Sequence, residues 1–147
     1  MKRLLPPILM LLCLAGMLVL HRLLPVRELI PPPANLSGLA FILAGLSLAI
    51  AGRLTFARAG TEIYTFREPG RLVTGGVFGI SRNPMYLGML LLLIGAAILL
   101  GSLTPFLVAL FFAIIADRWY IRYEEAAMAA KFGEEYRAYQ RRTRRWL

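Results

Sequence analysis

The sequence predicts an all-α integral membrane protein with about four transmembrane helices, the third and fourth forming a helical hairpin, and a cytoplasmic C-terminal helical tail. Three observations predict it. Apolar runs recur at close to the length that crosses a bilayer. Hydrophobic residues make up 59% of the 147 and mean hydropathy is +0.65, more than a soluble domain of this size carries. Glycine and proline punctuate the gaps between the runs.

With about 20 apolar residues needed to cover a hydrocarbon core of about 30 Å, the spans fall at roughly residues 4–24, 36–56, 85–100 and 105–121. The first follows Met1-Lys2-Arg3 and so resembles a signal peptide, but no small-x-small cleavage site is evident and more apolar runs follow, which makes it a retained helix. It carries the single cysteine, Cys13, so the chain has no intramolecular disulfide and no cysteine zinc site; Cys13 reads as packed or lipid-facing filler, and the single histidine, His21, as an interface marker. Pro31-Pro32-Pro33 makes a rigid external connection to the second span. The third and fourth are one greasy run broken at Gly101-Ser102-Leu103-Thr104-Pro105, a tight uncharged hairpin tip. Beyond the fourth, Tyr120 to Phe132 continue as a helix, Gly133 is placed to end it in the left-handed conformation, and Glu134 and Glu135 open a short second helix. Residues 136–147 mix cations with aromatics and could lie on the membrane surface. The chain is expected to be one membrane domain, residues 1–147, with two N-terminal helices in 1–56 and the functional core in 57–147.

Seventeen Lys and Arg against eight Asp and Glu give a formal charge of +9. In a soluble protein that would suggest nucleic acid, but here the cations lie between and beside apolar segments, as topology signals and anionic-lipid contacts. Lys2 and Arg3, then Arg53, Arg58, Arg67, Arg71 and Arg82, then Arg118 and the basic tail place both termini and the 57–84 loop in the cytoplasm.

The chemistry-bearing residues gather in that cytoplasmic layer. In Ser81-Arg82-Asn83-Pro84-Met85-Tyr86-Leu87-Gly88, Pro84 suits the first helical turn and Asn83 is an expected N-cap. Capping leaves Arg82 and Tyr86 unexplained; beside a helix N-terminus they suit an anion, or they anchor the chain at the interface by snorkelling. In Arg118-Trp119-Tyr120-Ile121-Arg122-Tyr123-Glu124-Glu125, Glu125 can face Arg122 and Arg118 as a salt-bridged surface, or the glutamate pair can accept hydrogen bonds from ribose hydroxyls or an amine. Spacing alone does not choose. Gly75-Gly76-x-x-Gly79 lacks a βαβ context and reads as a turn.

Taken together the two clusters resemble the isoprenylcysteine carboxyl methyltransferase and phospholipid methyltransferase superfamily, in a small bacterial-type form. The shared features are Arg82-Asn83-Pro84-Met85-Tyr86-Leu87-Gly88, matching Arg-(His or Asn)-Pro-x-Tyr-x-Gly at the start of a hairpin, and Glu124-Glu125 followed by Phe132-Gly133-Glu134-Glu135-Tyr136-Arg137-Ala138-Tyr139 and Arg145. The similarity covers about residues 55 to 147, including Gly60-Thr61 and Leu72-Val73-Thr74. It implies a membrane enzyme that uses S-adenosylmethionine without a Rossmann domain, enclosing it between hairpin and tail. By the same resemblance Arg82, Asn83, Tyr86, Leu87 and Glu124 line the cofactor site, with Glu125 and Tyr136 in support and no metal. Methyl transfer from a sulfonium needs in-line approach and a shielded site rather than a covalent nucleophile. For a carboxylate acceptor Arg145 or Arg118 would grip the anion; for an amine or thiol a carboxylate or phenol would take the proton. Asn83 stands where many relatives have histidine, so any ring hydrogen bond to the cofactor must come from an amide. Relatives commonly continue past the position of Leu147, and eukaryotic carboxyl methyltransferases have more helices, so an extended pocket for a long prenyl chain would be incomplete here unless subunits pair.

The expected partners are membrane lipids and a lipophilic small-molecule or lipid-modified acceptor, with no nucleic acid, and the expected location is the bacterial inner membrane. Two further readings are a non-catalytic membrane scaffold that keeps the fold, and a membrane reductase using NADPH.

Overall fold

The computed structural model describes residues 4–60 and 70–147. Lys2, Arg3, Thr61 and Arg67 of the sequence reading lie outside the described residues. Within them the chain forms α1 (Pro6–Leu23), a 3₁₀ turn (Ala34–Ser37) opening directly into α2 (Gly38–Arg58), a second 3₁₀ turn (Gly76–Gly79), α3 (Pro84–Leu100), α4 (Leu103–Ile115), a π-helical turn (Ala116–Ile121) and α5 (Arg122–Arg142). No strand occurs among the described residues; the one isolated bridge joins Glu28 to Ser102.

The four apolar helices fall where the runs predict them. Three stretches are long and apolar enough to cross a membrane: Pro6–Leu23, Ala34–Arg58 and Leu103–Arg142. Helix α3 is shorter at 17 residues, about 26 Å at 1.5 Å per residue, because Pro84 starts it and Gly101 ends it at φ +73°. Beyond the fourth span the helix continues as expected, through the π-helical turn into α5, giving one 40-residue helical stretch. The break expected at Gly133 exists, with φ 50° and ψ −120°, a positive-φ kink rather than a left-handed helical cap.

Helix α2 lies against α3 through glycines spaced seven residues apart, Gly38, Gly45 and Gly52 on one helix and Gly88 and Gly95 on the other. A Cβ added to Gly45 would stand 2.5 Å from the Gly88 carbonyl oxygen, and one added to Gly95 would stand 2.6 Å from that of Gly38. With no side chains between them the backbones meet, which is how helices gain dispersion energy where lipid supplies no hydrophobic drive. The opposite face of α3 joins α1 and α4 in a core of Cys13, Met17, Met89, Leu93, Ala109 and Phe112. Cys13 is thus packed, not lipid-facing.

The hairpin tip is fastened by the connection that follows α1. Leu29 and Ile30 N–H donate to the Gly101 carbonyl and Leu103 N–H to that of Arg27. His21 Nδ1 lies 2.7 Å from Ser102 Oγ, so this histidine ties α1 to the tip. Asn35 Nδ2 donates to the Leu99 carbonyl at 2.9 Å. These bonds fix the α3–α4 hairpin at one end of the bundle and leave the polar residues at the other.

Candidate functional site

At the polar end, Pro84 takes the first helical position of α3 as expected, but Asn83 does not cap with its side chain. Its Nδ2 instead donates to the Arg145 carbonyl at 3.0 Å. The reason is that the C-terminal segment lies across the doorway. Arg82 N–H donates to the Arg144 carbonyl at 2.9 Å, and Ser81 Oγ donates to the Arg145 carbonyl at 3.3 Å. For the Asn83 amide, the carbonyls of the returning C-terminal segment compete successfully with the N-terminal N–H groups of its own helix.

Arg82 is the hub. Its Nη1 donates to the carbonyls of Thr143 at 2.6 Å and Gln140 at 3.2 Å, and its Nη2 to Glu125 Oε1 at 2.8 Å. Its buried Nε has no partner among the described residues. Glu125 is shared: Arg145 Nη2 donates to its Oε2 at 2.5 Å. Arg145 Nη1 reaches on to Asp117 Oδ1 at 3.2 Å, and Trp146 Nε1 donates to the same oxygen at 3.0 Å. The charges therefore alternate along Arg82, Glu125, Arg145 and Asp117. Side-chain exposure is 11% for Arg82 and 12% for Glu125, so their pair is far better shielded from solvent screening than a surface ion pair. The Glu125 hydrogen bond raises the Arg145 guanidinium pKa above its ordinary value, against the lowering effect of burial.

This corrects the local pairing read from the sequence. Glu125 meets Arg82 and Arg145, not Arg122 or Arg118, because its face of the helix turns toward the doorway. Arg118 is 78% exposed and touches only the edge of Asp117 at 3.8 Å among its ion-pair contacts. Of the two arginines offered for gripping an acceptor, Arg145 is inside the cluster and Arg118 is outside it.

A second contact joins the same two motifs. Tyr86 OH donates to Glu124 Oε1 at 2.8 Å, and the Tyr86 ring stacks near Tyr120 with centroids 6.2 Å apart. Tyr120 OH donates to the Leu4 carbonyl, linking the start of α1 to the site. Tyr136 is buried beside Arg82 and Glu125; burial first, then the Glu125 charge, push its phenol up to about 12. Tyr139 OH donates to the Phe78 carbonyl at 2.5 Å, seating α5 on the Gly76–Gly79 turn. Leu87 is buried one residue beyond Tyr86 and faces a groove of about 410 Å³ lined also by Leu90, Ala113, Ile114, Asp117, Arg118 and Trp146.

The π-helical turn decides which acids share a face. In an unbroken α-helix the eight residues from Asp117 to Glu125 leave their side chains about 80° apart; one extra residue in a wide turn rotates the remainder back by about 100°, bringing the two nearly in line. Arg145 then spans both. The sequence reading singled out neither Asp117 nor Trp146. An aspartate at the end of a membrane span and a terminal tryptophan after an arginine were the available signals.

A helical membrane bundle whose polar end gathers Arg82, Tyr86, Glu124, Glu125 and a folded-back C-terminus matches the family described as phospholipid methyltransferase over residues 34–135. The chain belongs to that family, within the superfamily that includes the isoprenylcysteine carboxyl methyltransferases. Two curated relatives are from Arabidopsis thaliana. Protein-S-isoprenylcysteine O-methyltransferase B is 34% identical over 110 residues, 71% of this chain and 54% of that protein. Protein-S-isoprenylcysteine O-methyltransferase A is 31% identical over 107 residues, 69% of this chain and 53% of that protein. The chain thus spans about half the length of these plant relatives. An uncharacterized protein of Haemophilus influenzae is 38% identical over 63 residues, 43% of this chain and 100% of that one. No solved structure matches the chain significantly. The family match ends at residue 135, so Tyr136, Arg145 and Trp146 lie beyond it.

Proposed function

We propose that the chain is an S-adenosylmethionine-dependent methyltransferase acting on a lipophilic acceptor drawn from the bilayer. The observation that carries the reading is the meeting of two separated motifs: Arg82 on Glu125 and Tyr86 on Glu124, each at 2.8 Å. The residues suit a sulfonium cofactor. Glu124 offers carboxylate oxygens to hydroxyl or amino donors, and the buried Arg82 Nε offers a donor.

When bound, the cofactor supplies an electrophilic methyl group whose bond to sulfur breaks as the acceptor's lone pair attacks in line, the bonding pair staying on sulfur. The protein's part is to hold and to shield. Arg82 and Glu125 fix the floor, while the C-terminal segment closes the site from the polar side. A carboxylate acceptor needs no base, and Arg118, exposed at the groove, would meet it. Arg145 could do so only by giving up part of its hold on Glu125 or Asp117. For an amine or thiol, the Glu124 carboxylate can take the proton released.

The exposed cations Arg53, Arg58, Arg71, Arg141, Arg142 and Arg144 support a cytoplasmic site with cofactor entering from that side, and we place the protein in a bacterial inner membrane. A second copy would complete a pocket for a long chain. Calorimetry on purified protein tests the cofactor: S-adenosylhomocysteine should bind, and Glu124→Ala or Tyr86→Ala should weaken binding about tenfold, the loss of one hydrogen bond to a charged group. Unchanged affinity in both variants would sink the site. Methyl-labelled cofactor with host membranes then identifies the acceptor; binding without transfer to any membrane component would favour the scaffold reading.

A further inference from the structure

We infer that Asp117 is a positioning residue, acting through Arg145 and Trp146 to set the wall where the lipid-facing groove meets the transfer site. This rests on the methyltransferase reading above. Asp117 belongs to neither motif, yet one carboxylate holds two successive C-terminal side chains, the Arg145 guanidinium at 3.2 Å and the Trp146 indole at 3.0 Å. Its own oxygens are therefore filled by the chain, which makes direct contact with a reacting group the weaker role.

The two side chains it holds face different parts of the site. Arg145 passes the connection to Glu125 and so to Arg82. Trp146 lines the groove with Leu87, Leu90, Ala113 and Ile114, and Leu87 belongs to the doorway motif. The groove's apolar walls come from α3 and α4, and Ile114 is 52% exposed. An acceptor's hydrocarbon chain lying there meets the indole at the polar end. The position of that indole limits how far the acceptor advances toward Glu124 and Tyr86.

The π-helical turn supports the assignment independently. It is the feature that brings Asp117 onto the Glu125 face, and such turns concentrate where a helix must present a group out of register. An acid near the end of a membrane span is costly unless it is paired, and all three of its partners here are local to this corner.

The experiment uses the full chain in detergent with Trp119→Phe, which leaves Trp146 as the single tryptophan; Trp119 itself is 65% exposed. Asp117→Ala should red-shift Trp146 emission and raise its acrylamide quenching several-fold, and Asp117→Asn, which keeps an oxygen for the indole, should restore part of the shielding. With methyl-labelled cofactor and host membrane vesicles as acceptor source, Asp117→Ala should lower apparent kcat/KM about tenfold through KM for the vesicles, the loss of a charge-assisted hydrogen bond. Combining it with Trp146→Phe should add little more, because both act on one contact. Unaltered quenching in Asp117→Ala, or fully additive losses in the double variant, would overturn the inference. Failure of the unsubstituted protein to bind S-adenosylhomocysteine would instead overturn the methyltransferase reading, and the quenching result would still report whether Asp117 positions Trp146.

Discussion

Arg82 spends its guanidinium on two backbone carbonyls and one carboxylate at once, a task that depends on a planar fork of donors. Arg82→Lys is therefore expected to behave like a loss: a lysine keeps the charge but cannot span Gln140, Thr143 and Glu125 together. Glu125→Gln leaves Arg82 and Arg145 without their shared counter-charge and should lower stability by about 3 kcal/mol, as when one partner of a buried pair is removed. Denaturant unfolding in detergent checks both. Tyr136 predicts an alkaline limit. Its phenol is raised from 10 to about 12, so the protonated form is favoured in the folded state. That stability is fully present below pH 10 and is lost as pH rises toward 12. The melting midpoint should fall across that window, and Tyr136→Phe should flatten the fall. Arg82 and Tyr86 stood out in the sequence because capping did not explain them, and Glu125 because it belongs to a paired-glutamate motif. Their partners were not, since Glu125 had nearer arginines in sequence at 118 and 122 than the two it uses.

At the scale of elements, two features govern what the site can be. Glycines at seven-residue spacing let α2 and α3 touch along their length, and Gly45→Ala forces a methyl group against the Gly88 carbonyl. The substitution should cost about 1–3 kcal/mol, the usual effect of overpacking, seen as a lower melting midpoint with unchanged helical circular dichroism. The π-helical turn sets the phase of everything after it. Deleting Trp119, an exposed residue inside the turn, should restore an α-helical register and rotate α5 by about 100° relative to α4. Helicity should persist while Arg145 loses one of its two acids, and cofactor binding should fall with it. The hydrophobic runs announced the helices, and Asn83-Pro84 and Gly101 announced where α3 starts and stops. The π turn had no such announcement: Ala116 to Ile121 reads as ordinary helix, and a turn with one extra residue is stabilised by what α5 then contacts.

For the whole molecule, α1, α3 and α4 share one core, α2 flanks it through α3, and the C-terminus returns to the doorway. That return closes the architecture. Residues 81 to 83 hold the carbonyls of Arg144 and Arg145, and Arg82 also holds that of Thr143. Truncation after Arg142 should leave the membrane bundle inserted and helical, yet abolish cofactor binding. Membrane retention after alkaline carbonate extraction, set beside calorimetry on the same preparation, separates the two effects.

The sequence alone determined the membrane helices, their approximate limits, the hairpin and the two motif clusters, because hydropathy, proline, glycine and charge act locally along the chain. The tertiary structure alone decided that Asn83 holds the C-terminal backbone rather than its own helix, that Glu125 bridges Arg82 and Arg145, and that Asp117 pins Trp146. Each of those choices is made between residues that are distant in sequence or turned by an unforeseen helical register. An ion pair is selected by which donor arrives at the right distance in a poorly solvated corner, and arrival depends on how helices pack.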